Sequence, residues 1–401
     1  MRTVGIVAEY NPFHNGHRYH IEEAKRIAGA DMAVVVMSAS FVQRGEPACA
    51  DKFTRAGWAI TGGADMVIEL PDVFALSCAE RFAGAGVRIL SGIGIVDSIC
   101  FGSETGDVDM LTEAAMKEPD AEAFGVSIEK GLSYPAALSA AMGNAPGPND
   151  ILAAEYIRAV KKYCPEMAVY AVKRNGSEYG DDSLGGEFSS AKAIRNALSR
   201  YSGETGMTPA VFDGLVRALP RNVIEDISAL MKKGVFPADD DRLSDAILYR
   251  FRSMTPEEVC MLPEVAEGLE NLFLRHCEDS CDYKEMLSKV KSKRYTMARL
   301  KRISMCGLLG IDSEMQDAAA NDDASLYARV LAVRKGSEAL LHMMDKKSSI
   351  PVVVRSADRN KLPELAVRID NISTKAHSIR ALGQPYEKCT DPDRSYRLIV
   401  R

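Results

Sequence analysis

Apolar segments that alternate with helical patterns constrain the fold more than any other feature of this sequence. Strand-like runs occupy residues 2–8, 32–38, 65–70, 97–102 and 167–174. Stretches with apolar residues at helical spacing, such as 17–28, 52–61 and 78–90, separate them. Strands that are apolar throughout are buried on both faces, which is typical of a parallel sheet covered by helices. The pattern therefore predicts an α/β fold with a doubly wound parallel sheet.

The second half of the chain has a different character. Beyond residue 205 the sequence is mostly amphipathic helix, with one late strand-like run at 350–355. A chain of 401 residues is also too long for one ordinary domain. We therefore expect an N-terminal domain over 1–200 and a mainly α-helical C-terminal domain over 201–401.

Composition narrows the cellular setting. No apolar run approaches the roughly 20 residues that a membrane span needs. The N-terminal apolar stretch is too short for a signal peptide and lacks a cleavage site. The nine cysteines follow no repeated spacing, which indicates free thiols in a reducing compartment. A cytoplasmic protein without membrane association is expected.

The net charge of −6 argues against a wholly basic nucleic-acid surface but permits a local basic patch.

The segment "VAEYNPFHNGHRYH" at 7–20 holds three of the six histidines. It connects the first strand to the first helix, where a parallel α/β sheet binds its ligand. Unpaired N–H groups and a partial positive charge at a helix N-terminus suit phosphate, and Gly16 lets backbone approach it. His14 and His17 are three residues apart, so both lie on one side of the helix start. Imidazolium donors there are expected to stabilise charge that develops on a phosphoryl group.

Two other interpretations of the histidines compete with phosphate binding. An H-x-x-H pair can bind zinc, but the nearest acidic residue, Glu9, lies across a proline-containing turn, and a metal leaves Gly16 unexplained. A purely structural helix cap accounts for one histidine and poorly for three. Phosphate binding is favoured, and no metal site is predicted.

Two short motifs resemble those of a known superfamily. "HNGH" matches the H-x-G-H signature of nucleotidyltransferases, which attack a nucleoside triphosphate at its α-phosphate and release pyrophosphate. "FSSAKAIR" at 188–195 resembles the I-S-S-T-x-I-R segment that other members use near the triphosphate. The resemblance implies that Ser189, Ser190 and Arg195 are phosphate donors at a second helix start.

Longer strings resemble one family within that superfamily, the bacterial tRNA(Met) cytidine acetate ligases. These strings are "VGIVAEYNPFHNGHRYHIEEAK", "QRGEPACADKFTRA", "GADMVIELP", "AERFAGAGVRIL", "CFGSE" and, more loosely, "KRYTMARLKRI". The resemblance implies that ATP and acetate give acetyl-adenylate and pyrophosphate. The acetyl group would then pass to N4 of the wobble cytidine of elongator tRNA(Met), forming N4-acetylcytidine. A small-molecule nucleotidyltransferase, or a nucleotide-binding protein without catalysis, remains the alternative.

The same resemblance implies a set of site residues. His14 and His17 would be catalytic, and Mg²⁺ would accompany ATP. The ATP site would comprise Val7, Ala8, Glu9, Tyr10, Asn11, Pro12, Phe13, His14, Asn15, Gly16, His17, Arg18, Tyr19, His20, Gly102, Asn149, Arg174, Ser189 and Ser190.

Three of those residues, Gly102, Asn149 and Arg174, lie outside both the 7–20 segment and the 188–195 motif, and each has a second interpretation. Gly102 offers bare backbone at a strand end, Asn149 can donate and accept hydrogen bonds, and Arg174 can fork onto phosphate. A turn glycine, a helix N-cap and a solvated strand end are the alternatives. The chain also departs from the family at Ala39 and Ser40, where relatives tend to have Gly followed by Asn or Asp.

A basic run is the predicted tRNA contact. Residues 284–302 contain eight Lys or Arg and one Glu, and the RNA backbone dominates affinity for such surfaces. Tyr295 is predicted to stack on an exposed base. A solvated helix face is the alternative. The predicted phosphate contacts are Lys289, Lys291, Lys293, Arg294, Arg299, Lys301 and Arg302. Elongator tRNA(Met) and acetate are the expected partners, and no dedicated protein partner is evident.

Overall fold

The five apolar segments form neighbouring strands of one sheet, as predicted. The computed structural model describes residues 1–117, 126, 147–174, 184, 186–201, 208–266 and 268–401. Its strands are β1 (Thr3–Ala8), β2 (Met32–Ser38), β3 (Phe41–Val42), β4 (Glu46–Pro47), β5 (Met66–Leu70), β6 (Ser98–Ser103), β7 (Ala168–Lys173), β8 (Ala328–Val333), β9 (Val352–Val353) and β10 (Ile399–Val400). In the order β5-β2-β1-β6-β7 all neighbours run parallel. The predicted doubly wound α/β class is confirmed.

Helices cover both faces of this sheet. In the first half they are α1 (Asn15–Ala28), α2 (Lys52–Thr61), α3 (Asp72–Ala75), α4 (Ala79–Gly92), α5 (Val108–Met116), α6 (Pro148–Tyr163) and α7 (Ala191–Tyr201). In the second half they are α8 (Pro209–Ala218), α9 (Arg221–Lys232), α10 (Ser244–Arg252), α11 (Pro256–Cys260), α12 (Leu269–Glu278), α13 (Tyr283–Val290), α14 (Met297–Leu309), α15 (Ser313–Asn321), α16 (Ala339–Lys347) and α17 (Glu364–Leu382). Short 3-10 helices occupy Asp241–Leu243, Asp323–Ser325, Ser356–Lys361 and Asp393–Ser395.

Burial on both faces explains why the strands are apolar throughout. Along β2, Val34 and Val36 belong to the core that contains Phe82 of α4, whereas Val35 belongs to the core that contains Ile21 of α1. Successive side chains of a strand point to opposite faces, so each face of β2 feeds a different core. A polar residue at any of these positions would be buried without water.

The second half of the chain also contributes to the sheet. β8 pairs antiparallel with β5, so that Met66 lies opposite Val333, while β9 and β10 both pair with β8. The predicted late strand is confirmed only at Val352–Val353, and β8 was not predicted. The domain boundary near residue 200 stays a prediction, and residues 202–207 beside it lie outside the described residues. In the described part of the chain, no helix is both long and apolar enough to span a membrane.

A buried ion network joins the two halves beneath β5 and β8. Lys52 of α2 lies 2.7 Å from Glu69 and 2.6 Å from Asp393, and all three side chains are inaccessible to solvent. Arg329 of β8 approaches the same carboxylates at 3.2 and 2.6 Å. Burial alone would raise the pKa of Asp393, but Lys52 and Arg329 outweigh burial and hold it below its usual range. Removing either cation would therefore leave buried negative charge uncompensated.

We expect Lys52→Met to lower the free energy of unfolding by about 3–5 kcal/mol, because Glu69 and Asp393 would lose their shared ammonium partner. The control is Arg221→Met, since Arg221 is 93% exposed and pairs with Glu225 at the surface. That change should cost less than about 1 kcal/mol. Urea denaturation of both variants measures the difference, and equal small losses would contradict the role of the network.

Candidate active site at the end of the first strand

The turn between β1 and α1 is built on an aromatic floor. Tyr10 adopts a left-handed backbone conformation with φ 48°, and its ring is fully buried. The Tyr10 ring centroid lies 4.9 Å from that of Phe13, which is also fully buried, and 4.7 Å from that of His17. These buried aromatic contacts hold the turn in position at the carboxyl edge of the sheet.

His14 and His17 are locked as a pair at the start of α1. The Nδ1 atom of His14 accepts a hydrogen bond from the Gly16 amide at 3.1 Å. The Nδ1 atom of His17 accepts one from the His14 amide at 3.3 Å, and the two rings stack at 3.7 Å. A neutral imidazole has one donor and one acceptor nitrogen, so these bonds assign the proton to Nε2 in both rings. The predicted placement of both histidines on one side of the helix start is observed.

The expectation of imidazolium donors does not fit this environment. Burial, with Arg174 and Arg195 nearby, lowers the pKa of His14 to about 3. Burial also lowers the pKa of His17, and it lowers that of His20 to about 4. The three rings are therefore neutral at pH 7, and His14 and His17 offer Nε2–H groups rather than positive charge. The His20 Nε2 atom is buried and has no partner among the described residues.

Gly16 is required by the geometry of the histidine pair. A Cβ atom added at Gly16 would lie 2.9 Å from Cε1 of His14. That distance is too short for two carbon atoms, so any larger residue would displace the capping ring. Gly16 therefore leaves room for the His14 ring and keeps the backbone at the helix start uncovered by a side chain.

Two predicted ATP contacts in the turn are used elsewhere. The Asn15 side chain donates to the carbonyl of Arg217 at 2.8 Å and so holds α8 against α1. Arg18 pairs with Glu22 one turn along the helix, at 2.9 Å on the exposed surface. In this structure neither side chain is directed to the histidine pair, although their backbone amides belong to the helix start.

The other turn residues pack rather than project. Val7 and Ala8 are the last residues of β1, and Val7 packs against Gly86 of α4. The Tyr19 ring contacts Phe188 edge-on at 5.7 Å, which joins α1 to the segment before α7. Pro12, Phe13 and Asn11 are buried. These residues shape the turn.

Gly102, Asn149 and Arg174 come together at the carboxyl ends of β6 and β7. Arg174 Cγ lies 3.6 Å from the position of a Cβ at Gly102, and Arg174 donates to Asn149 Oδ1 at 3.3 Å. Asn149 Nδ2 in turn donates to Glu104 at 2.5 Å. Strand order reverses between β1 and β6, which is where open α/β sheets bind ligands. The three predicted residues therefore form one cluster beside the histidine turn.

The segment before α7 also reaches the turn. Ser189 Oγ donates to the Gly186 carbonyl at 2.9 Å, and Ser190 Oγ accepts from the Ala193 amide at 3.1 Å, so both hydroxyls stabilise the helix start. Arg195 donates to the Asn11 carbonyl at 2.7 Å. The "FSSAKAIR" segment is thus adjacent to the histidine turn, as its resemblance implies.

Arg55 is a buried residue that the sequence reasoning missed. Its guanidinium is inaccessible to solvent and donates to the carbonyls of Glu9 at 2.7 Å and Ser38 at 3.0 Å, and also to that of Ala39. It therefore ties the end of β1 to the end of β2. The available signal was an arginine among the mostly apolar residues of "KFTRAGWAIT", because an arginine that is buried there needs hydrogen-bond partners.

Glu46 in β4 connects the turn to the C-terminal half. It accepts from Arg195 at 3.2 Å and from Lys301 of α14 at 2.8 Å. Lys301 also lies 2.6 Å from Asp240. Burial alone would raise the pKa of Glu46, but Arg195 and Lys301 outweigh burial and lower it. A chain of charge pairs therefore runs from the Asn11 carbonyl to α14.

Part of the predicted tRNA surface is internal. Tyr295 is only 6% exposed, so the prediction that it stacks on an exposed base does not fit its position. Arg302 is buried and pairs with Glu264 at 2.6 Å, and Arg299 donates to the Glu264 carbonyl. With Lys301, these residues anchor α14 rather than face solvent.

The remaining basic residues lie at the surface of α13 and of the segment between α13 and α14. Lys289 pairs with Asp279 at 3.1 Å and Glu285 at 3.0 Å, which reduces the net charge it offers. Lys291, Lys293 and Arg294 are exposed. Lys284 of α13 is exposed as well, and the exposed basic residues that follow one another most closely lie at 291–294.

The departure at Ala39 and Ser40 falls at a buried position. The Ser40 and Phe41 amides donate to Asp72 at 2.9 and 2.7 Å, and the Ser40 hydroxyl has no partner among the described residues. Burial raises the pKa of Asp72 to about 7. The change thus affects the interior beside Asp72 at the end of β2.

Comparisons with known proteins agree with this geometry. A sequence model of the HIGH nucleotidyl transferase family matches residues 1–391. The tRNA(Met) cytidine acetate ligase of Acetivibrio thermocellus is 37% identical over 374 residues, which cover 89% of each chain. That of Clostridium tetani is 34% identical over 405 residues, which cover 94% of this chain and 96% of the relative.

Solved structures give the same assignment. The crystal structure of Thermotoga maritima TmcAL bound with alpha-thio ATP matches with a TM-score of 0.89 at 28% identity, over the whole of both chains. The apo form of that protein matches with a TM-score of 0.91 at 29% identity, again over the whole of both chains. With its H-x-G-H turn at the end of β1, the chain belongs to the HIGH nucleotidyl transferase family and, within it, to the tRNA(Met) cytidine acetate ligases.

Proposed function

We propose that the protein is an ATP-dependent ligase that activates acetate as acetyl-adenylate and acetylates N4 of the wobble cytidine of elongator tRNA(Met). The observation that carries the proposal is the locked His14–His17 pair, with two Nε2–H donors at the N-terminus of α1. Two relatives that match this chain over 89% and 96% of their own length are named for that reaction.

In the first step an acetate oxygen attacks the α-phosphorus of ATP. A new phosphorus–oxygen bond forms while the bond to the β-phosphate oxygen breaks, and pyrophosphate leaves with the electron pair. Negative charge grows on the phosphoryl and leaving oxygens. The Nε2–H groups of His14 and His17, with the helix N-terminus, are placed to stabilise that charge without giving up a proton. Acetate is ionised at pH 7, so this step needs no general base.

In the second step the cytidine amine attacks the acetyl carbonyl, AMP leaves and the amine loses a proton. The mixed anhydride is already activated, so holding the two groups together supplies much of the catalysis. We assign no general base to this step.

The nucleotide is proposed to lie across β1, β6 and β7. Gly102 and Asn149 would contact the adenosine, and Arg174 and Arg195 would contact phosphates. Mg²⁺ is proposed to arrive with the triphosphate oxygens, which are its preferred ligands. Among the residues that the structure describes, no group of three or more His, Cys, Asp or Glu side chains could hold a metal ion.

The tRNA is proposed to bind across residues 291–294, which join α13 to α14. Lys291, Lys293 and Arg294 are exposed there, and phosphate contacts of this kind supply affinity and register. A small-molecule nucleotidyltransferase would have no use for such contacts, so acceptor identity separates the two functions.

The function is tested by incubating purified protein with unmodified tRNA(Met), ATP, Mg²⁺ and isotope-labelled acetate. Mass spectrometry of the digested tRNA should show labelled N4-acetylcytidine, and omission of ATP should abolish it. ATP consumption with a small metabolite, and no label in the tRNA, would contradict the proposal.

Replacement of His17 by Ala should lower acetate-dependent exchange of pyrophosphate into ATP by about 100-fold or more, because one transition-state donor is lost. His342→Ala is the matched control, since His342 is exposed on α16 far along the chain, and its activity should be unchanged. Thermal melting of both variants establishes that the fold is retained. Near-normal exchange by a folded His17→Ala variant would refute the catalytic assignment.

The basic run yields a contrast between two kinds of variant. Lys293→Glu with Arg294→Glu should weaken tRNA binding by about 10-fold or more and leave acetate-dependent exchange intact, because RNA affinity depends on phosphate neutralisation. Lys301→Met should instead lower exchange as well, since Lys301 supports Glu46 beside Arg195. Filter binding and exchange assays distinguish them. Loss of both activities in the 293/294 variant would oppose the surface assignment.

A further inference from the structure

The hairpin formed by β3 and β4 is fixed to the histidine turn. Phe41 pairs with Pro47 and Val42 with Glu46, so residues 43–45 form its tip. The Gln43 amide donates to the Glu9 carboxylate at 2.9 Å. Glu9 directly follows β1, so the tip of the hairpin lies beside the first residue of the turn.

The other side of the tip is fixed to the C-terminal half. Gly45 has a φ of 75°, and a Cβ at this residue would lie 2.4 Å from the Arg302 amide nitrogen. The tip therefore packs directly on the backbone of α14. Glu46, the next residue, is held by Arg195 and Lys301. Residues on both sides of Arg44 are thus immobilised by named contacts.

Arg44 itself is the exception in this anchored hairpin. Its side chain is exposed and forms no hydrogen bond or close ion pair with any residue that the structure describes, although its charge acts on the Glu9 and Glu46 carboxylates. An arginine offers five donors in a planar fork, which suits phosphate oxygens. A rigid turn that presents an exposed guanidinium, with its N–H donors not used by the described residues, is suited to bind a ligand.

The nearest charges indicate which ligand this would be. Burial lowers the pKa of the Arg174 guanidinium, Glu104 opposes this effect, and the positive charge of Arg44 acts in the same direction as burial. The two guanidiniums therefore repel each other across the turn. Glu46, the carboxylate closest in sequence, is already shared between Arg195 and Lys301. An anion with several oxygens would be attracted to both arginines at once.

We propose that Arg44 is a further phosphate-binding residue, which holds the terminal phosphates of ATP and the departing pyrophosphate opposite Arg174. The assignment deepens the proposed function, because these phosphates leave in the adenylation step. The contacts of Gln43 with Glu9 and of Glu46 with Arg195 place the hairpin beside the histidine turn, whereas the surface proposed for tRNA lies at residues 291–294. Sequence reasoning missed Arg44 because "QRGEP" contains no recognised phosphate motif.

The test is direct ligand binding by the full-length protein. Isothermal titration would compare α,β-methylene ATP, pyrophosphate and AMP with wild type, Arg44→Met, Arg44→Lys and the surface control Arg221→Met. Arg44→Met should weaken the binding of the ATP mimic and of pyrophosphate by about 10-fold, since a charge-assisted hydrogen bond is lost. AMP binding should change less than about 2-fold because AMP lacks the terminal phosphates. Arg44→Lys should recover part of the loss, and the control should match wild type.

Two results would overturn the assignment. If Arg44→Met bound the ATP mimic as tightly as wild type, Arg44 would not contact the terminal phosphates. A loss of tRNA acetylation in that variant would then indicate that Arg44 contacts the tRNA. If the binding of AMP and of the ATP mimic were weakened equally, the substitution would have disturbed the histidine turn and not a contact with the terminal phosphates. Neither acetate nor tRNA enters these titrations, so the outcome is independent of whether the chain acetylates tRNA.

Discussion

The site depends on two hydrogen bonds from backbone amides to histidine side chains at the start of α1. The Gly16 amide occupies Nδ1 of His14, and the His14 amide occupies Nδ1 of His17. Together they fix the tautomer of both rings, their stacking and the beginning of the helix. A helix cap usually satisfies backbone donors and nothing more. Here the same bonds leave two Nε2–H donors, which we propose serve the nucleotide, without the cost of burying two positive charges.

The second feature on which the account depends is the contact between the two halves of the chain. Arg195 holds the Asn11 carbonyl and Glu46, and Glu46 is held by Lys301 of α14. The C-terminal half therefore helps to hold the histidine turn in place, and it also carries the proposed tRNA surface. Exposed charge pairs contribute little to stability, whereas buried pairs are costly to break. The pairs among Arg195, Glu46 and Lys301 are partly buried, so they contribute to holding the two halves together.

Much of the fold was predictable because each parallel strand is buried on both faces and is marked by local sequence. β8 was not, because its six residues lie in a mostly helical region and are held by a long-range pairing of Val333 with Met66. The basic run illustrates the same limit. Counting charges cannot separate exposed Lys293 from Lys301, whose partner Glu46 is more than 250 residues away in sequence. Motifs located the histidines, but only burial shows that they are neutral.

The most direct test of the central claim is a crystal structure of the protein soaked with a non-hydrolysable ATP mimic. The account predicts that α-phosphate oxygens lie about 3 Å from Nε2 of both His14 and His17, with Nδ1 still bonded to the backbone. Nucleotide density away from the start of α1, or rings rotated so that Nδ1 faces the phosphate, would contradict it.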